Sequence, residues 1–271
     1  SFKVGGACNK LAVVQEQGCT RGLVTCSSGN NGTALAYAAA HLGLAAPIVF
    51  VPETADSTKV NRIRSYGAEV RARGKDFSET YDIAQDYVHS SGALYVHSHS
   101  DSEIIAGQGT IGLEILAELP DVEAVVVPVG GGGLISGVAT AVKSGAPAAR
   151  LLGIEAAAAP GAYLSFRDGE CHESVDIQPS LADGLLGTLT PLTYSIARNL
   201  VESIQVVEEP HIRHALITLM ENEQIIAEGS AVVGLAAALE HKIDVRGQRV
   251  VFLLTGRNIS KEKFLKAVAA G

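Results

Sequence analysis

The sequence predicts an α/β protein built on parallel sheets, and three features predict it. Short apolar segments alternate with helix-patterned ones along the whole chain. Several are apolar at every position, as strands covered on both faces are; Val125, Val126, Val127 and Val250, Val251, Phe252, Leu253, Leu254 are runs of this kind. Turns rich in glycine, serine and asparagine fall where a strand hands over to a helix, which is where open sheets of this class place their ligands. Composition agrees: 47% of the 271 residues are hydrophobic and 18% charged, so the chain must bury a large core and is neither disordered nor fibrous.

Taken in order, Gly5 and Gly6 defer the first helix to Ala7. The apolar run Gly22 to Cys26 is the first strand, and the Ala-rich segment Thr33 to Leu42 the helix after it. Pro47 to Val51, Ala68 to Ala72 and Ala93 to His97 read as further strands, separated by helices Thr58 to Tyr66 and Ser78 to His89. A helix from Thr110 to Leu119 leads to the strand Ala124 to Val129, then a helix from Leu134 to Lys143. Strands Leu151 to Glu155, Ser203 to Val207 and Arg249 to Leu254 follow, with helices Pro210 to Asn222 and Ser230 to His241 between the last two. Ala124 to Val142 is uncharged and about as long as a membrane-spanning helix. Pro128 and four consecutive glycines break it, so we read a strand, a turn and a helix.

The expected organisation is a smaller α/β unit, 22–99, inserted into a larger one formed by 1–21 and 100–271. No repeat or Pro/Ser-rich linker divides the chain otherwise. The formal net charge is −8 and no Lys/Arg cluster appears, which disfavours a nucleic-acid or anionic-membrane partner. Cys8, Cys19, Cys26 and Cys171 show no C-x-x-C spacing, and the chain does not open with a basic stretch followed by an apolar one. A reduced, cytoplasmic setting is therefore expected.

Two turns stand out chemically. Ser27-Ser28-Gly29-Asn30-Asn31-Gly32 lies between a strand and a helix, and its amides and hydroxyls suit an anion or a carboxylate. The same residues also make an ordinary helix cap, and both readings stay open. Gly130, Gly131, Gly132 and Gly133 form the second junction, where missing side chains let a phosphate approach the backbone. Neither a G-x-G-x-x-G nor a P-loop spacing is present, which weakens both nucleotide readings. Taken alone, Lys3 is a solvated terminal lysine.

The order of motifs changes that reading. Ser1-Phe2-Lys3, Ser27-Ser28-Gly29-Asn30, Ala106-Gly107-Gln108-Gly109-Thr110, Gly130 to Gly133, Ala182-Asp183-Gly184, Glu228-Gly229-Ser230-Ala231 and Thr255-Gly256-Arg257-Asn258 occur in sequence. Together they resemble the fold-type II pyridoxal-phosphate enzymes (tryptophan synthase β-like), in particular the serine/threonine dehydratase and serine racemase branch. The resemblance implies pyridoxal 5'-phosphate lodged between two parallel-sheet subdomains. It makes Lys3 the lysine joined to the cofactor aldehyde, with Phe2 beside the ring and Asn30 the amide on the ring 3-hydroxyl. Gly130 to Gly133 with Leu134 become the phosphate cradle, and Thr255 faces the pyridine nitrogen.

A neutral hydroxyl at Thr255 cannot hold that nitrogen protonated as an aspartate would, which suits loss of a β-leaving group more than transamination. Lys3 is the expected base for the α-proton on one face. Ser28 matches the serine that works on the other face in racemases, or else is a cap or a carboxylate donor. Ser27, Ser28, Gly29 and Asn31 would receive the substrate carboxylate, although Asn31 stands where the branch commonly has histidine. His99 would contact the amino-acid side chain or its leaving hydroxyl, against the plainer reading of a surface-loop histidine. Glu155 and Ala159 match two positions of a divalent-cation site of some relatives, but Gly161 replaces a carboxylate, so no metal is expected. Glu228 is either a site carboxylate or a helix-start residue.

The expected activity is a dehydratase (ammonia-lyase) acting on a β-hydroxy amino acid such as threonine, serine or a hydroxyaspartate. The alternatives are an amino-acid racemase and a non-catalytic ligand-binding relative. A homodimer is common in the resembling family. Its members place several dozen residues before the cofactor lysine, so the resemblance implies a preceding segment or one supplied by another chain. From the end soon after Asn258, no appended regulatory domain is expected.

Overall fold

Strands that are apolar on both faces need helices on both sides, and parallel pairing with helical crossovers provides them. The computed structural model describes residues 1–269 and contains two four-stranded sheets of this kind, ordered β3-β2-β1-β4 and β7-β6-β5-β8 and parallel throughout. The chain divides into two compact units, 1–107 and 108–271.

In the first unit, α1 (Lys3–Glu16) precedes β1 (Leu23–Cys26), α2 (Asn30–His41), β2 (Ile48–Val51), α3 (Ser57–Ser65), β3 (Glu69–Ala72), α4 (Phe77–Ser91) and β4 (Leu94–Tyr95). The next helix, α5 (Ser102–Glu118), contains the division between the units. Ala7, Leu11 and Val14 recur at helical spacing and are buried in one cluster with Leu35, Ala38 and Ala39 of α2. That packing ties α1 to α2 within this unit.

The largest shifts in helix starts are at α1 and α5, which begin well before the pattern indicated. α1 starts at Lys3 rather than Ala7, because Gly5 and Gly6 lie against α5 so closely that a side chain on Gly107 would meet the Gly5 carbonyl at 2.5 Å. α5 starts at Ser102 rather than Thr110, because the Asp101 carboxylate accepts from the N–H groups of Glu103 and Ile104 and caps it. The strand expected over 93–97 is confined to Leu94 and Tyr95, since His97 turns out of it into a loop.

The second unit runs through β5 (Ala124–Pro128), α6 (Gly133–Gly145), β6 (Arg150–Ala156), α7 (Gly161–Asp168), α8 (Pro191–Leu200), β7 (Ser203–Val207), α9 (Glu209–Glu223), α10 (Val233–Leu239), β8 (Val250–Phe252) and α11 (Lys261–Ala269). β5 is buried at every position and lies between β6 and β8. Val126, Leu152 and Ile154 of the sheet pack in one core with Ile212, Leu216 and Leu219 of α9 and with Val233, Ala236 and Ala237 of α10. Among the described residues no helix is long and apolar enough to cross a membrane.

Candidate active site

Parallel neighbours deliver their carboxyl-end loops to one edge of a sheet, so strand adjacency decides which motifs meet. In the first unit β1 pairs with β4, with Leu23 beside Leu94 and Val24 beside Tyr95. The turn Ser27 to Asn30 and the loop His97 to Ser100 therefore emerge side by side.

Lys3 reaches that loop from the amino end of α1. Its Nζ donates to the Ser98 carbonyl at 2.7 Å and lies 5.1 Å from the centre of the Phe2 ring. The lysine is partly accessible along its length, but its amine is desolvated, and burial pulls its pKa down to about 8. Such an amine is unprotonated often enough near neutrality to attack an aldehyde or take a proton.

The Ser27 turn is ordered by its own atoms. Ser27 N donates to the Phe50 carbonyl at 3.0 Å, Ser27 Oγ accepts from Gly29 N at 3.2 Å, and Thr33 N and Oγ1 both donate to the Gly29 carbonyl at 3.2 Å. Helix α2 begins at Asn30, three residues before the expected Thr33, so Asn30 and Asn31 lie in its first turn. Asn31 is buried, and its Nδ2 donates to Thr25 Oγ1 at 3.1 Å; that hydroxyl in turn donates to the Val96 carbonyl at 2.9 Å. This side chain ties the turn to the stretch leading into His97.

His99 stands one residue beyond the carbonyl that receives Lys3. Its Nδ1 pairs with Ser98 Oγ at 2.9 Å, and its ring meets that of His97 edge to face, centres 4.5 Å apart. Burial first, then the charges of His97 and Lys3, push its pKa down to about 3, so the imidazole is neutral at physiological pH. His97 was not singled out in the sequence, although its place two residues before His99 in a short polar loop was the available signal.

In the second unit β5 pairs with β8, placing Val126 beside Phe252. The glycine turn after β5 and the segment with Thr255 after β8 therefore share one sheet edge. The turn is backed by the stretch 185–189. A side chain on Gly130 would meet the Leu185 backbone at 3.0 Å, and one on Gly132 would meet Leu189 Cδ2 at 2.4 Å. Gly132 also has φ +82°, a left-handed conformation that disfavours other residues. Gly130, Gly132, Gly133 and Leu134 are buried, while Gly131 is partly open.

Thr255 is buried; near it, Glu228 N donates to the Gly256 carbonyl at 3.2 Å and Glu228 is itself buried at the start of the short 3-10 turn Gly229–Ala231. Each unit, taken by itself, offers one feature that suits a phosphorylated aldehyde: a desolvated amine at Lys3 in the first, and a glycine turn at the amino end of a helix in the second.

Glu155 is the last residue but one of β6 and is fully buried. Its two oxygens accept from Ala162 N at 3.0 Å and Tyr163 N at 2.9 Å in the first turn of α7. Burial raises its pKa to about 8 against the opposing pull of those two amides. Among the described residues no group of three or more His, Cys, Asp or Glu gathers to hold a metal ion. Glu155→Gln keeps the volume but replaces one acceptor by an amide NH₂, leaving a buried N–H unpaired; we expect a loss of about 1–3 kcal/mol, read as a lower melting temperature.

Comparison with known proteins agrees with this chemistry. The family described as "Pyridoxal-phosphate dependent enzyme" matches residues 1–256. The chain belongs to that family and has its fold-type II architecture. It is 42% identical over 260 residues to an L-threonine ammonia-lyase of Thermotoga maritima, covering 96% of this chain and 64% of that protein. The chain thus spans just under two thirds of that relative's length. Among solved structures it is similar to maize serine racemase, with TM-score 0.92 and 30% identity over 100% of this chain and 83% of that one. It is also similar to the processed form of threonine deaminase isoform 2 from Solanum lycopersicum, with TM-score 0.91 and 30% identity over 100% of this chain and 76% of that one.

Proposed function

We propose that this chain is a pyridoxal-phosphate-dependent dehydratase (ammonia-lyase) that converts a β-hydroxy amino acid, threonine or serine, to a keto acid and ammonia. The observation that carries the reading is the desolvated Lys3 amine beside the Ser98 carbonyl, and the 42% identity to an L-threonine ammonia-lyase supports it. When bound, the cofactor supplies an electron sink that lowers the cost of removing the α-proton. Lys3 would hold its aldehyde and Phe2 flank its ring, with Asn30 on the 3-hydroxyl, Gly130 to Gly133 and Leu134 around the phosphate, and Thr255 on the ring nitrogen.

This chain's own residues then divide the work. Lys3 Nζ would take the α-proton; an amine with a pKa of about 8 is well matched to that transfer near neutral pH. Ser27, Ser28, Gly29 and Asn31 bind and orient the substrate carboxylate. His99, neutral and one residue from the Lys3 contact, offers a hydrogen bond to a side-chain hydroxyl. A neutral ring gives no ion pair to a second carboxylate, which favours threonine or serine over hydroxyaspartate. The segment 22–99, which carries the Ser27 turn and His99, shields the amino acid from water. A cytoplasmic homodimer without nucleic-acid or membrane partners completes the proposal.

The similarity to serine racemase and the position of Ser28 keep racemisation as a second reading. Incubating the purified holoprotein with each enantiomer of serine, threonine and 3-hydroxyaspartate separates the two. We expect keto acid from L-threonine or L-serine, with remaining substrate unscrambled. Enantiomer interconversion without keto acid means a racemase, and a loaded protein inert toward all six contradicts both.

A further inference from the structure

The stretch from Val96 to Glu103 is anchored firmly at both ends. Before it, Val96 N donates to the Val24 carbonyl at 2.8 Å and Thr25 Oγ1 to the Val96 carbonyl at 2.9 Å. After it, Asp101 caps α5 and forms a 2.6 Å ion pair with Lys10, while Asn9 Nδ2 donates to the Glu103 carbonyl at 2.7 Å. The middle, which carries the carbonyl facing Lys3, folds around the His97 ring. His97 Nδ1 accepts from the backbone N–H of His99 at 3.2 Å and of Ser100 at 2.9 Å, and the chain folds over the imidazole as it does over an aspartate or asparagine in an Asx turn.

We propose that His97 is a positioning residue for Lys3: through Nδ1 it holds the turn 98–100, and so fixes the Ser98 carbonyl at the place where it receives the Lys3 amine. Its importance to catalysis rests on the proposed role of Lys3 as the cofactor lysine. An acceptor Nδ1 is possible only while it is unprotonated, so protonating His97 releases the turn. The groups that face the ring are Lys3, His99, Asp101 and Tyr95. Burial and the Lys3 charge oppose its protonation and outweigh Asp101, which favours it.

Asparagine tests this directly, because its Oδ1 lies where Nδ1 does and accepts the same bonds without titrating, whereas leucine fills the space and accepts nothing. Apoprotein of the wild type, His97→Asn and His97→Leu is mixed with pyridoxal 5'-phosphate between about pH 5.5 and 9, and attachment is followed by visible absorbance. Circular dichroism and melting curves check folding, and borohydride reduction with peptide mapping identifies the lysine modified.

We expect His97→Leu to attach the cofactor at least about tenfold more slowly, and His97→Asn to stay within about threefold of wild type. The wild-type acid limb should carry one proton more than that of His97→Asn below the ordinary imidazole range. Wild-type attachment rates in folded His97→Leu overturn the inference, as does an acid limb for His97→Asn identical to the wild type's. The second comparison decides the matter if the leucine variant does not fold. Wild-type attachment at a lysine other than Lys3 defeats the proposed function itself, a result that peptide mapping distinguishes from both.

Discussion

Lys3→Ala abolishes the visible absorbance of the cofactor-bound protein and lowers keto-acid formation by at least about 10³-fold, with the fold intact. Two roles are lost together, since the same amine is proposed to carry the cofactor and to take the α-proton. Stability should change little or rise, because the variant no longer buries an amine whose charged form is penalised there. The pH dependence has a definite sign. Attachment needs the unprotonated amine, so its rate should climb with pH and level off above about 8, where an ordinary lysine would keep climbing to its usual 10.5. Methylamine added to Lys3→Ala should restore part of the activity by supplying a free base; arginine at position 3, permanently charged, should not. Activity measured by keto-acid release, alongside melting curves, checks each part.

Gly132→Ala should damage both stability and cofactor retention, more than the same change at Gly130. At position 132 the new methyl enters a left-handed backbone, meets Leu189 Cδ2 at 2.4 Å and approaches Thr193 Cβ at 2.9 Å. We expect a cost of about 2–4 kcal/mol from strain and overpacking together. Gly130→Ala meets Leu185 Cα at 3.0 Å with ordinary backbone dihedrals, so only small displacements are needed and the loss should be smaller. Because the turn leads directly into α6, relaxation around residue 132 shifts the amides proposed to receive the phosphate. Denaturant titration of the apoprotein and equilibrium titration with the cofactor separate the two effects. Equal stability and equal cofactor affinity for both variants would contradict the cradle.

The parts of this fold that were legible in the sequence are those in which local pattern and burial say the same thing. Val125, Val126 and Val127 are apolar without alternation because β5 is covered on both faces, and β5 is where it was expected. The ends of elements were harder, because long-range contacts set them. Gly5 and Gly6 lower helix propensity, yet α1 runs through them because they let α5 lie close. α5 gave no sign of starting at Ser102, since its cap, Asp101, lies in a run of polar residues that reads as loop.

The candidate site divides in the same way. Lys3, Ser28 and the glycine turn are proposed from motif order, and strand adjacency then brings the Ser27 turn beside the His97 loop in one sheet and the glycine turn beside the Thr255 segment in the other. The commitment of Asn31 to Thr25 and the turn folded over His97 Nδ1 were not legible, because each depends on atoms brought together by tertiary structure. Glu155 illustrates the converse: a carboxylate read against a cation site is engaged with two backbone amides of α7.

The central claim is that the Lys3 amine is the point of attachment for the cofactor. Reducing the holoprotein with borohydride fixes the bond, and digestion followed by mass spectrometry locates it. A pyridoxyl group on the peptide containing Ser1-Phe2-Lys3 is the predicted result; its presence on any other lysine, or on none in protein saturated with cofactor, contradicts the account.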